Sequence, residues 1–133
     1  MTTIQNTKPH GELTIRTLAM PAQTNPNGDI FGGWLVAQMD LAGASMAYQT
    51  AHSRIVTVAI ESMTFMAPVK VGDFVCCYAE LLKIGTTSVR IKVEAWVVRS
   101  QDQQQQQVTE GVFTFVAVDE NGKPHPVLRE LRD

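Results

Sequence analysis

The sequence predicts an α+β fold in which a curved antiparallel β-sheet wraps around one long central α-helix. Three observations carry the prediction. From about Gly32 to His52 the chain has no proline and many good helix formers, with apolar residues around nearly the whole helical circumference, so the helix is expected to be buried on most sides. Four long segments after it are rich in β-branched and aromatic residues and separated by turn signals. The lengths also agree. A helix of about 18 residues is roughly 27 Å long, and strands of eight to ten residues extend roughly 27 to 33 Å, so one sheet can cover the helix lengthwise.

In chain order, "GELTIRTLAM" (11–20) alternates polar and apolar residues as a strand, and the turn formers from Pro21 to Asn27 end it. The helix follows. Its Gln38, Asp40 and Gln49, with several glycines and alanines, argue against a membrane span. The remaining strands are "RIVTVAIESMTFMAP" (54–68), "DFVCCYAELLKIG" (73–85), "TSVRIKVEAWVV" (87–98) and "VTEGVFTFVAV" (108–118). In the third of these Val89, Ile91, Val93, Ala95 and Val97 share one face and Arg90, Lys92 and Glu94 the other, as expected of a sheet covered on one side. Trp96 interrupts the polar face, and Phe74 with Tyr78 lies opposite Val75, Cys77 and Ala79. The outer sheet surface is therefore expected to be partly apolar and to make subunit contacts. "QDQQQQQ" (101–107) reads as a solvated hairpin insertion with no catalytic part.

Composition narrows the function. A chain of 133 residues, 44% hydrophobic, has the size of one domain, 1–133, with a core over about 11–120 and terminal segments outside it. The formal charge of −2 provides no basic field for a nucleic-acid backbone, so no nucleic-acid partner is expected. Cys76 and Cys77 are adjacent, so in an extended segment they point to opposite faces and form neither a comfortable disulfide nor a metal-ligand spacing. They read as core thiols in a reducing cytoplasm. "MTTIQNTKPHGEL" holds no apolar run that could serve as a signal-peptide core, which also reads as cytoplasmic.

The stretch "NPNGDIFGGWLVAQMD" (25–40) poses the chemical question. It sets a carboxylate, Asp40, in an apolar run. Such a group is costly unless paired, and burial raises its pKa toward the range useful for a general base; a structural hydrogen bond is the other reading. Gly32 and Gly33 stand at the expected helix start, where free N–H groups and the positive dipole end can polarise a carbonyl or hold an oxyanion. Plain helix–sheet packing explains the glycine pair equally well. His10 and His125 lie in terminal segments, and His52 stands at the negative end of the helix dipole, so no catalytic histidine is expected.

With "TLAMPAQTNPNGDIFGGWLVAQMDLAGA", "RIVTVAIESMTFMAPVKVGDFVCCYAE" and "GTTSVRIKVEAWV", the sequence closely resembles the YciA-type acyl-CoA thioesterases of the hotdog superfamily over roughly residues 11–120. The resemblance implies a hotdog fold, hydrolysis of acyl-CoA in fatty acid metabolism, and homodimers with shared sites, assembled as a hexamer, a trimer of dimers. It matches Asp40 to the catalytic acid, Asn25 to the catalytic asparagine, and Gly32 or Gly33 to the backbone donor at the thioester carbonyl. The glutamine run has no counterpart in the family pattern. The implied chemistry needs no metal and no cofactor, coenzyme A being part of the substrate and a product. Asp40 activates water, or attacks directly to give a mixed anhydride. A helix-start amide stabilises the oxyanion, and Asn25 holds the water or the thioester.

In the family the phosphopantetheine arm runs between subunits, and the turn "KIGTTSV" offers Thr86, Thr87 and Ser88 to it. Lys83, Arg54 and Arg90 are candidates for the phosphates, with simple solvation of the strands as the other reading. Spacing also bears on the shared site. Gly32 and Asp40 are eight positions apart, a rise of about 12 Å in one helix, whereas an attacking water lies within roughly 3 to 3.5 Å of its carbonyl carbon. A second, antiparallel helix would close that gap. Two rival functions remain: a hotdog dehydratase, which uses a histidine before the helix where residues 11–51 have none, and a non-catalytic acyl-CoA-binding module, which has no need of Asp40.

Overall fold

The computed structural model describes residues 8–99 and 104–127. Its elements are β1 (Glu12–Leu18), a 3-10 turn (Pro21–Gln23), α1 (Gly32–Ala51), β2 (Arg54–Phe65), β3 (Phe74–Ile84), β4 (Ser88–Val98) and β5 (Gln105–Val118). The five strands form one sheet in the order β1-β3-β4-β5-β2, with every neighbouring pair antiparallel. Helix α1 lies across the inner face and touches all five strands. Bulges in β1, β2, β3 and at the β4–β5 pairing bend the sheet around the helix. The expected helix-wrapped fold is the observed one. No helix among the described residues is long and apolar enough to cross a membrane.

The inner face of β4 is as expected, with Val89, Ile91, Val93, Ala95 and Val97 all buried. Against it α1 sets Leu35, Met39, Ala42, Gly43, Ala47 and Ala51, three or four residues apart except for the adjacent Ala42 and Gly43, as one helical stripe. The expectation of a helix buried on most sides needs correction for the single chain: Leu41 is 57% and Tyr48 59% exposed, so a second apolar face is left open. Gly43 sets the helix–sheet distance. A Cβ there would lie 3.0 Å from Phe115 Cζ and 3.2 Å from Val93 Cγ2. Gly43→Ala is therefore expected to lower the thermal midpoint, because overpacking of about 1–3 kcal/mol exceeds the gain of about 1 kcal/mol in helix propensity. An unchanged midpoint would show that the Phe115 ring swings aside freely.

Two features of the sheet differ from the sequence reading. First, β5 begins at Gln105: Gln105, Gln106 and Gln107 pair with Val98, Val97 and Trp96, so the glutamine run is not all insertion. Its residues 101–103 lie outside the described residues. Strand geometry accepts glutamines where a neighbour supplies the ladder, and here Arg99 Nη1 also donates to Gln106 Oε1 at 2.7 Å.

Second, Glu94 is not solvated on the outer face but only 1% exposed. Its carboxylate accepts hydrogen bonds from Trp96 Nε1 at 2.9 Å and from the His10 backbone N–H at 3.3 Å, and His10 Nδ1 lies 3.1 Å from Oε2. Lys92 Nζ stands 3.9 Å away. Gly11 makes this crossing possible. Its φ is +96°, and a Cβ would come within 2.4 Å of the Ala79 carbonyl oxygen, so only glycine lets the chain lie that close to β3 on its way to β4. The outer face is otherwise partly apolar as expected, with Leu13 and Leu18 exposed and Arg16 stacked over Phe74 at 4.9 Å.

Both cysteines are buried and unpaired. Burial pushes the inner Cys77 thiol up to about 12 and raises Cys76 as well. Neither is a thiolate near neutrality.

Candidate active site

The turn before the helix is built around Asn25. Its backbone N–H donates to the Asp29 carbonyl at 2.7 Å, and its side-chain Oδ1 accepts from the N–H groups of Asn27 at 2.9 Å and Asp29 at 3.1 Å. An asparagine that closes a turn in this way has its amide plane fixed. Both bonds fall on the oxygen, so the NH2 end is left over, and it has no partner among the described residues. The turn is fastened to the segment after β2 by the Ile30 N–H donating to the Val69 carbonyl at 3.0 Å.

The helix then starts without a side-chain cap at Phe31. Its first intrahelical bond runs from the Leu35 N–H to the Phe31 carbonyl at 3.3 Å. The N–H groups of Gly32, Gly33 and Trp34 precede that bond and lack a helical acceptor, as the first turn of any α-helix does. Asn25, Asp29, Ile30, Gly32 and Leu35 line one side of a cleft of about 380 Å³, and residues 65–69, from Phe65 to Val69, line the other. The Phe65 ring packs over Gly32, where a Cβ would already be at van der Waals distance, 3.5 Å. Glycine here keeps the backbone open to a ligand. Gly33 is also open, with no atom within 4 Å of a Cβ, but it is not part of the cleft wall.

Asp40 is on the same helix but outside this cleft. It is half-buried rather than enclosed in apolar core, so the premise that one chain buries it is corrected. The run around it is apolar because the helix has two apolar faces, and Asp40 lies beside the one that the sheet does not cover. Its Oδ1 accepts a hydrogen bond from Thr57 Oγ1 on β2 at 2.7 Å. The sequence reading missed Thr57. The signal was present in the alternation of β2, which puts Ile55 and Thr57 on the side opposite Val56.

The structure does not bring the remaining candidates to the cleft within one chain. Thr86 and Thr87 form the β3–β4 turn, and Ser88 opens β4. Their carbonyls are used by the fold: Thr86 accepts from the Val127 N–H, Thr87 from Ala117 and Ser88 from Gly85, each at 2.8 Å. Their hydroxyls therefore remain the part available to a ligand. Arg54 begins β2 and pairs with Val118 at the same end of the sheet as this turn. Phe65 ends β2 beside the cleft, so a strand of 12 residues, about 36 Å at strand rise, separates Arg54 from it. Lys83 is exposed on β3, and Arg90 pairs with Glu61 on the outer face at 3.0 Å.

Comparison with known proteins bears on the family and the fold. The Thioesterase superfamily profile matches residues 27–102, a span that holds Gly32, Asp40 and Thr57. The acyl-CoA thioester hydrolase YciA of Salmonella typhimurium is 57% identical over 130 residues, covering 96% of this chain and 97% of the relative. The protein of the same name from Escherichia coli is 55% identical over 127 residues, covering 93% of this chain and 96% of its own. Among solved structures, a hexameric thioesterase from Yersinia pestis has a TM-score of 0.87 at 55% identity, over 91% of this chain and 98% of that one. A hexameric hotdog fold thioesterase of Campylobacter jejuni has a TM-score of 0.86 at 38% identity, over 92% and 94%. The helix wrapped by five antiparallel strands, the profile match over more than half of the length and the near end-to-end likeness to these relatives lead to one conclusion: the chain belongs to the thioesterase superfamily, among the hotdog-fold acyl-CoA thioester hydrolases of the YciA type.

Proposed function

We propose that this protein hydrolyses acyl-CoA thioesters to coenzyme A and a carboxylic acid, at sites shared by two subunits of a homodimer. One observation carries the reading: Asn25 and Gly32 line a single cleft with amide donors to spare, while Asp40 stands apart, held by Thr57 beside an open apolar helix face. Two donors suit the carbonyl oxygen of a thioester, on which charge develops in the transition state. Because Asn25 Oδ1 is taken up within its turn, the side chain serves as a donor to the thioester rather than as an acceptor for water.

The base comes from the partner subunit. Edge strand β2 leaves one side of its backbone unpaired among the described residues, next to the uncovered face of α1. Antiparallel pairing of two such edges about a two-fold axis brings the Arg54 end of one chain toward the Phe65 end of the other. The same operation brings over the Thr86–Ser88 turn and sets Asp40 of the partner subunit against this chain's cleft. Thr57 occupies Asp40 Oδ1, so Oδ2 is left to take the proton of water as its oxygen bonds to the carbonyl carbon. The C–S bond then breaks and the thiolate leaves, which is easy for so acidic a thiol. Direct attack by Asp40 followed by hydrolysis of the mixed anhydride uses the same placement. No metal ion or cofactor enters either route. Thr86, Thr87 and Ser88 with Arg54 then serve the coenzyme A portion across the interface, Lys83 being exposed on β3 and Arg90 held by Glu61. The partly apolar outer face, with Leu13, Leu18, Phe74 and Tyr78, suits assembly of such dimers into a trimer of dimers. Unpaired buried thiols fit a reducing cytoplasm.

A hydrolysis screen over short, medium and long acyl-CoA esters, read by thiol release, is expected to show turnover, and coenzyme A is expected to raise the thermal midpoint as a native-state ligand. Coenzyme A stabilisation without thiol release from any ester would mark a binding module instead.

A further inference from the structure

Asn25 can act as a fixed donor only if its turn is held in place, and the turn is held from outside the cleft. Two of the bonds that orient Asn25 are made to the backbone of Asp29. The Asp29 carboxylate in turn reaches across the gap between loops to Lys70 Nζ. Lys70 is itself anchored: its N–H donates to Asp73 Oδ2 at 2.9 Å, Asp73 Oδ1 lies 3.3 Å from Arg99 Nε, and Arg99 Nη2 donates to the Pro68 carbonyl at 3.3 Å. A continuous chain of charged and hydrogen-bonded groups thus runs from the end of β4 to Asn25.

From this we infer that Lys70 and Asp29 are positioning residues for the donor Asn25, acting through the ion pair that clamps the Asn25 turn to the opposite wall of the cleft. The inference rests on the proposed role of Asn25. Charge adds to position: Asp29 lines the same cleft, and without Lys70 its carboxylate would stand unneutralised near the oxygen where negative charge develops. The pair is not explained by stability alone. Lys70 is 54% and Asp29 33% exposed, and ion pairs so open to solvent contribute little to folding.

The test is a kcat and KM comparison of Lys70→Met, Lys70→Arg and Asn25→Ala, each with an acyl-CoA and with the corresponding S-acyl pantetheine, which lacks the nucleotide. Lys70→Met is expected to lower kcat about tenfold with both substrates, as a modest misplacement of a catalytic donor does, with KM and the thermal midpoint nearly unchanged. Lys70→Arg is expected to restore most of the loss. A defect confined to KM, present with acyl-CoA and absent with acyl-pantetheine, would make Lys70 a phosphate contact and overturn the inference. So would a normal kcat for folded Lys70→Met. If Asn25→Ala itself turns over normally, the proposed donor role fails first, so the two failures are told apart.

Discussion

Asp40→Asn yields a folded enzyme whose kcat is at least about a hundredfold lower, the loss expected when a general base or carboxylate nucleophile becomes an amide. The structure explains why this substitution separates chemistry from folding. Asparagine has nearly the volume of aspartate, Asp40 is only half-buried, and the amide oxygen can still accept from Thr57 Oγ1. What disappears is the basic oxygen. Steady-state kinetics beside a thermal melt provide the check. Near-normal turnover by a well-folded Asp40→Asn variant would reduce Asp40 to the structural partner of Thr57.

Activity is also expected to return when two inactive proteins are mixed. Asn25→Ala lacks the side-chain donor and Asp40→Asn lacks the base. If each site draws Asn25 from one subunit and Asp40 from the other, every mixed dimer has one site with both lesions and one with neither. Random pairing after joint unfolding and refolding then restores about a quarter of wild-type activity. The distance argument behind this is internal to one chain: Asp40 lies about 12 Å along the helix from Gly32 and outside the cleft that Gly32 and Asn25 share. With subunit exchange verified by mass, activity no greater than the mean of the two parents would sink the shared site.

Where one chain determines the outcome, the sequence was readable. The inner face of β4 could be named from alternation, because a covered sheet forces a period of two. The helix was placed at 32–52 against an observed Gly32–Ala51, with His52 closing it in a left-handed conformation. Glu94 was misplaced for a different reason. Its burial depends on a long-range crossing by His10, 84 positions away, and no local pattern encodes that contact. The glutamine strand was missed because polar repeats carry no periodicity, so pairing with β4 decided their conformation. In the site, the turn chemistry of Asn25 and the glycine at 32 were visible as residue types at a helix start. The Thr57 bond to Asp40 and the Lys70 clamp were not, since alternation gives only the face of β2 on which Thr57 stands and both contacts join elements that are distant in sequence. The apolar surroundings of Asp40 were read correctly as composition and wrongly as burial, because the helix face that carries Leu41 and Tyr48 is left uncovered in a single subunit.

The open edge of β2 has a consequence for the life of the chain before it acts. It offers a ladder of backbone groups without a partner strand among the described residues, alongside exposed Val56, Val58 and Ile60, and two bulges with Ser62 at a φ of 55° interrupt the ladder rather than block it. Such an edge is a template for any extended polypeptide. A newly made or diluted subunit therefore meets a race between finding its own kind and being captured by other unfolded strands. The order of that race is set by concentration. Scarcity of its own partner relative to other unfolded chains should increase losses to precipitation, whereas an excess of matched copies over foreign strands should suppress them. Catalytic competence and protection from aggregation are gained in the same encounter.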